Sequence, residues 1–260
     1  MPEGDVLRRT ANRFELAFAG RTLVRSDLRW PSAAAADLVG RTVVETVSYG
    51  KHLLTRFDHG WTLHTHLRMD GYWRIWRTGT SAAAGRATNV RAVLATAEWT
   101  AVGHHLGMLD VVRTRDERTL IGHLGPDILA DPVDADEMLR RWAARGSTPV
   151  AEVMLDQTVV AGIGTIFMAE SLFAERVWPW LPADEVPDPA RLLLVARRLM
   201  QRSVASGRPP GRVHARHRRP CVRCGTPIAR GEARRPPMQR PVFWCPRCQP
   251  APVRSGSPAG

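Results

Sequence analysis

Ala161-Gly162-Ile163-Gly164-Thr165 is the stretch on which the fold of this chain turns. Two glycines within three residues interrupt an apolar run. Glycine permits positive φ and lets another backbone come close, and the helix expected to follow opens with unsatisfied N–H groups and a positive dipole end. The segment therefore reads as a tight link between packed helices and equally as an anion site of phosphate grade, and the two readings are compatible. Working outward, helical periods cover 138–145 and 149–160 upstream and 165–176 and 190–206 downstream. Before Gly125-Pro126-Asp127 the pattern changes. Segments rich in Val, Leu, Thr and Trp at 22–30, 42–57, 61–76, 90–101 and 108–112, spaced by Gly, Asp and Pro, predict a β-sandwich and not a parallel sheet. A helix over 5–20 leads the chain, with Leu7, Ala11, Phe14 and Phe18 on one face, Asp5 as N-cap and Gly20 as its stop. Residues 206–220, rich in Gly, Pro, Arg and His, read as an extended connector.

Composition limits the function classes. The chain has 260 residues, 44% of them hydrophobic, enough for a full core in more than one domain. It contains no apolar run of 18 residues and no basic-then-hydrophobic leader, so neither a membrane span nor a secretory signal is expected, and a cytoplasmic, nucleoid-associated monomer is. The formal net charge is +12, and between Arg191 and Arg254 sixteen arginines face one acid, Glu232. Such a segment seeks phosphates and releases counterions on binding them. Among 37 basic residues Lys51 is the single lysine. Arginine cannot give up its proton in a protein, whereas a lysine with a lowered pKa acts as acid or base, so Lys51 is a candidate for proton chemistry.

All four cysteines lie in two knuckles, Cys221-x2-Cys224 and Cys245-x2-Cys248, twenty residues apart. Two such knuckles bring four thiolates into a tetrahedron around one zinc ion, at the base of a small hairpin carrying Arg234, Arg235 and Arg240 outward. Four thiolates leave no open coordination position, so this zinc is structural. It contributes on the order of 10 to 16 kcal/mol to folding, enough for about forty residues without a core of their own.

The chain opens Met1-Pro2-Glu3-Gly4-Asp5. Removal of Met1 leaves a secondary amine at Pro2. Terminal amines titrate near about 7.7, so part of the population is unprotonated at neutral pH and can attack a sugar carbon to form an imine. Glu3 is placed to donate a proton.

Terminal Pro-Glu-Gly, Tyr49-Gly50-Lys51-His52-Leu53-Leu54, His66-Leu67-Arg68-Met69-Asp70-Gly71, Leu124-Gly125-Pro126-Asp127, Leu155-Asp156-Gln157, Ala161-Gly162-Ile163-Gly164 and the cysteine knuckles occur in one order. Together they resemble the formamidopyrimidine-DNA glycosylase and endonuclease VIII family of base-excision repair, over nearly the whole chain. The resemblance implies an α+β multidomain protein: an N-terminal β-sandwich with a leading helix over 1–128, a helix-two-turns-helix domain over 129–212, a zinc finger over 213–250 and a disordered tail over 251–260. It implies a bifunctional glycosylase and abasic-site lyase acting on double-stranded DNA with damaged bases or abasic sites. In that scheme Pro2 is the imine-forming nucleophile at C1′, Glu3 protonates the sugar or base, Lys51 takes part in β-elimination, and Arg240 grips phosphate and supports δ-elimination. Met69 falls where the family places a wedge that fills the gap left by the extruded base, Arg68 beside it faces the orphaned base or backbone, and His123 lies near an arginine of some relatives.

The finger sequence Arg240-Pro241-Val242-Phe243-Trp244-Cys245 favours the endonuclease VIII branch and oxidised pyrimidines. One departure stands out: after Gly164 the family carries a phosphate-binding asparagine, and here that place is Thr165, expected to cap the helix and bind phosphate less strongly. His214-Ala215-Arg216 stands where the family has Tyr-Gly-Arg, after a shortened connector. These departures keep open a second reading, a damage-recognising DNA-binding protein with weak turnover. A third, a zinc-ribbon protein unrelated to repair, accounts for the cysteines but not for Pro2, Glu3 and Lys51 together. The remaining histidines show no metal spacing and are read as structural.

Overall fold

The computed structural model describes residues 2–234 and 238–252. Met1, Arg235, and the tail from 253 onward, Arg254 included, lie outside the described residues. The chain forms two compact units, Met1–His123 and Leu124–Gly260.

The first unit is the expected sandwich. Helix α1 (Gly4–Phe18) leads into eight strands: β1 (Arg25–Leu28), β2 (Val43–Tyr49), β3 (His52–Phe57), β4 (Trp61–His66), β5 (Tyr72–Arg77), β6 (Val90–Ala95), β7 (Trp99–His104) and β8 (Met108–Arg113). They pair antiparallel into two four-stranded sheets, ordered β2-β3-β4-β8 and β1-β6-β7-β5. The three long segments read from sequence each split into two strands. Turns at Gly50-Lys51, at 67–71 and at 96–98 break the runs; Gly50 and Asp70-Gly71 mark the first two in sequence, and only 96–98 carries no glycine or proline. Leu7, Ala11, Phe14 and Phe18 are buried on one face of α1, as their spacing requires, and Phe14 meets Trp73 edge-on at 5.1 Å. The helix begins one residue earlier than expected. Glu3 is the N-cap, and Asp5 is buried in the first turn instead of capping it. The helix ends at Phe18, with Gly20 two residues past it at φ +72°.

The second unit begins at the strap Leu124-Gly125-Pro126-Asp127. It contains α3 (Ala135–Ala143), α4 (Val150–Leu155), α5 (Thr165–Ala174), α6 (Pro189–Ser206) and the hairpin β9 (Ala229–Ala233) with β10 (Arg240–Trp244); the short α2 (Arg118–Ile121) precedes it at the end of the first unit. Helix α4 is half the length its periodicity suggests. Asp156 bends the chain out of the helix by accepting from the N–H and hydroxyl of Thr158 through Oδ1, a local turn that competes with the helical ladder. Ile228, Ala233, Val242, Phe243 and Cys245 join Phe167, Leu172, Ala196 and Met200 in one apolar cluster. The hairpin therefore does not stand without a core, as its size alone suggests; it shares the core of the helices.

Candidate functional site

In the first unit the leading residues are held by α1. Glu3 has extended backbone, φ −115° and ψ −179°, and its carbonyl accepts from Val6 and Leu7, which fixes Pro2 immediately outside the first turn. The Glu3 side chain is 1% exposed, although a carboxylate at a helix start is ordinarily solvated. Pro2 itself is half-buried. The lone lysine stands at the apex of the β2–β3 hairpin. Tyr49 pairs with His52, leaving Gly50-Lys51 as a two-residue turn in which Gly50 takes φ +55°, a conformation open to glycine. Helix α1 packs on β2 and β3, the two strands of that hairpin.

The segment between β4 and β5 presents Met69 59% exposed, so it is not core packing. Arg68 has φ +50°, and its backbone N–H donates to His66 Nδ1 at 2.9 Å. Its aliphatic stem lies over Gly107, where a Cβ would run into it. His123 is exposed after α2.

Sequence reading found no role for His52, His64 and His66, yet these three form a cluster beside Lys51. His52 stands opposite His66 in the β3–β4 register, with rings 4.8 Å apart and edge-on. His52 Nδ1 lies 2.8 Å from His64 Nε2, and His64 Nδ1 lies 3.1 Å from Asp110 Oδ2. Burial holds His52 well below the usual imidazole range, at about 3, helped by the charges of His66, His64, His123 and Lys51. Burial likewise brings His66 to about 4, with His64, Lys51 and Arg68 acting the same way. His64 is also lowered by burial, against the pull of Asp110 and Glu117. All three are neutral at pH 7. The signal was present in the sequence: His64 and His66 two apart in one strand share a face, and a hairpin over 52–66 brings His52 onto it.

In the second unit the glycine turn is braced from two sides. Gly162 has φ +109°, and its N–H donates to the Gln157 side chain, whose amide donates to the carbonyls of Leu155 and Ile163. The strap at 125–128 binds the turn through Ala161 N–H to Pro126 and Ile128 N–H to the Ala161 carbonyl. A Cβ at Gly125 would fall on the Val159 carbonyl, so only glycine permits this approach. Gly164 is the N-cap of α5 and Thr165 its first helical residue. Thr165 does not cap the helix as expected; its hydroxyl is buried and faces His214 Nε2 at 3.5 Å. Two of the residues that depart from the family pattern thus meet. Burial lowers the His214 pKa, opposed by Glu170. The buried Glu170 carboxylate accepts the backbone N–H groups of Arg212, Val213 and His214, which fixes the end of the connector.

The four cysteine sulfurs lie within 4.8 Å of one another. The separations are 3.9 Å for Cys221 and Cys248 and 3.5 Å from Cys224 to both Cys245 and Cys248. Tetrahedral thiolates at about 2.3 Å from zinc are about 3.8 Å apart, whereas disulfide sulfurs are about 2.05 Å apart, so the group fits a metal and not a disulfide. The first knuckle is tied to α5. Arg223 donates to the carbonyls of Phe173 and Ala174 at the helix C-terminus and lies 4.2 Å over the Phe173 ring. Arg240 opens β10, half-buried, with its guanidinium donating to the Gln239 carbonyl. Arg234 follows β9, and its N–H donates to the Glu152 carboxylate.

A sandwich led by an N-terminal helix with one buried face, followed by helices around a glycine turn and a four-cysteine hairpin, defines a class. Residues 1–121 match the formamidopyrimidine-DNA glycosylase N-terminal domain and residues 124–211 the formamidopyrimidine-DNA glycosylase H2TH domain. A Streptomyces coelicolor protein named probable endonuclease 8 2 is 41% identical, over 100% of this chain and 98% of its own length. The Mycolicibacterium smegmatis DNA-(apurinic or apyrimidinic site) lyase Nei2 is 36% identical, over 96% of this chain and 100% of its own. The Lactococcus lactis formamidopyrimidine-DNA glycosylase, solved with DNA containing N7-benzyl-Fapy-dG, superimposes with a TM-score of 0.82 at 20% identity, covering 96% and 100% of the two chains. The chain belongs to the formamidopyrimidine-DNA glycosylase and endonuclease VIII family.

Proposed function

We propose that this chain is a DNA glycosylase and abasic-site lyase of base-excision repair that acts on oxidised pyrimidines through an imine on Pro2. The observation that carries the reading is the carboxylate of Glu3, 1% exposed and directly after Pro2 at the start of α1. Removed from water, such a carboxyl is a suitable proton donor to a departing base or opened sugar. The Pro2 nitrogen, uncovered when Met1 is removed, attacks C1′ of the damaged nucleotide as the C1′–N bond to the base breaks, and loses its proton to give an aminal; the nitrogen lone pair then breaks the C1′–O4′ bond, O4′ takes a proton from Glu3, and the opened sugar is an iminium at C1′. Lys51 then accepts a proton from C2′. The C2′–H electrons form a double bond to C3′, and the 3′ phosphate leaves. Arg240 holds phosphate for the second, δ-elimination.

Met69 fills the space of the extruded base with Arg68 beside it. Gly164, Thr165 and His123 contact backbone phosphate, and the basic excess of the second unit makes that binding steeply salt-dependent. One zinc ion held by Cys221, Cys224, Cys245 and Cys248 fixes the hairpin and does no chemistry. Division into 1–128, 129–212 and 213–250, a monomeric state and a cytoplasmic, nucleoid-associated location complete the proposal. Among the described residues no helix is long and apolar enough to cross a membrane.

Borohydride trapping on DNA with one abasic site tests it. The expected result is a covalent adduct whose peptide map places the link on the Pro2 nitrogen, absent from protein that retains Met1. A link on another side chain refutes the mechanism, and a gel shift without any adduct reduces the protein to a damage-binding one.

A further inference from the structure

Asp110, His64 and His52 form a hydrogen-bonded chain that the scheme above does not use. Asp110 comes from β8, His64 from β4 and His52 from β3, three adjacent strands of one sheet. Its polarity follows from its partners. The Asp110 carboxylate accepts, so His64 Nδ1 carries the proton and His64 Nε2 presents a lone pair. His52 Nδ1 must then donate to His64, which leaves His52 Nε2 as a lone pair. His66 is set the opposite way, because its Nδ1 accepts the Arg68 N–H and its proton sits on Nε2. The chain starts at the residue following Lys51. Lys51, His66 and His123 bear on His52, and Glu117 joins Asp110 in bearing on His64. It ends at an Asp110 side chain 30% exposed, while the His64 side chain in its middle is 0% exposed. One end is open to water and the middle is closed to it.

We propose that His52, His64 and Asp110 are a proton relay serving Lys51 during strand cleavage, an inference that rests on the role given to Lys51 above. After Lys51 accepts the C2′ proton, its ammonium passes a proton to His52 Nε2. His52 Nδ1–H moves to His64 Nε2, His64 Nδ1–H moves to Asp110, and Asp110 releases it to water. No ring carries charge for longer than the transfer, in keeping with a site that disfavours imidazolium. The forward run leaves Lys51 as the free amine and both rings in the opposite tautomer, and a half-turn of each ring resets the chain for the next turnover. These are positioning and relay residues; none touches substrate.

The test compares wild type with Asp110→Asn, which keeps shape at a partly exposed position, and His52→Gln, each with Met1 removed and on DNA with one abasic site. The expected result is unchanged borohydride adduct and unchanged DNA affinity, with single-turnover elimination at least about tenfold slower and a rate that no longer follows the wild-type pH profile. Wild-type elimination rate and pH profile in both variants overturn the relay while leaving Pro2 and Lys51 in place. A rate loss matched by lost DNA affinity, with the pH profile intact, makes the chain structural and also overturns it. Absence of adduct from wild type, or Lys51→Arg eliminating at full rate, removes the underlying reading and the relay with it.

Discussion

Glu170→Gln isolates the carboxylate that holds the connector. Glu170 is 2% exposed in α5; its Oε1 accepts from Arg212, Val213 and His214, each at 2.9 Å, and Oε2 accepts from Arg212 at 3.0 Å. Hydrogen bonds to a charged group contribute about 1.5–3 kcal/mol and neutral ones about 0.5–1.5, so neutralising the acceptor of three donors costs about 1 kcal/mol at each. The amide NH2 must also face either the Arg212 N–H or the group of three, donor against donor. The expected loss is about 3 kcal/mol, at the upper end of ordinary point substitutions. Denaturant unfolding followed by circular dichroism measures it as a lower midpoint at unchanged slope. Amide exchange at 212–214 should accelerate together with it. A stability change below about 0.5 kcal/mol, with protection at those three amides intact, would refute the claim that the carboxylate organises the connector.

Three further outcomes follow from the geometry. Because His52 is held at about 3 and His66 at about 4, the native state stays unprotonated at these sites while the unfolded chain takes up protons below about pH 6.5. The unfolded state binds more protons, so stability should fall as pH drops from 6.5 to 4.5, and His52→Gln should flatten that limb; an NMR titration placing His52 near 6.5 would contradict it. Cys248→Ser should lower bound zinc, measured by elemental analysis, from one per chain and destabilise the second unit, whose core the hairpin shares; full zinc content and stability in the variant would remove the four-cysteine site. Met69→Ala should change stability by less than about 0.5 kcal/mol, given its exposure, yet weaken binding to abasic DNA several-fold in fluorescence anisotropy, whereas a core methionine would cost about 2–5 kcal/mol.

What could be read from sequence follows the range of the interactions involved. The face of α1, the alternating strands and the paired knuckles are set by neighbours within a few residues, and periodicity exposes them. The boundaries missed were decided by local hydrogen bonds with no periodicity: the backbone carbonyl of Glu3, not the Asp5 side chain, opens α1, and the Oδ1 of Asp156 turns back on the backbone to end α4. The Thr165–His214 contact joins residues 49 apart, and a single sequence showed each only as a departure from a pattern. Glu170 was invisible for the same reason, since its donors are backbone groups and carry no residue signature.

The histidines are the instructive case. One at a time, each is a polar residue at a sheet position with no metal spacing, and core packing accounts for it. Pairing β3 with β4 and β4 with β8 changes that, because the register places His52 opposite His66 and His64 opposite Asp110. A buried imidazole packed only for its volume would be a costly choice beside leucine, since it brings two polar nitrogens that each need a partner. Here the Nδ1 of His52, both nitrogens of His64 and the Nδ1 of His66 have one, and the order of donors runs one way from Asp110. The direction is set by Asp110, whose carboxylate can only accept, so each neutral imidazole in turn donates toward it. A single direction, ending beside the chain's lone lysine, is what transfer of a proton requires.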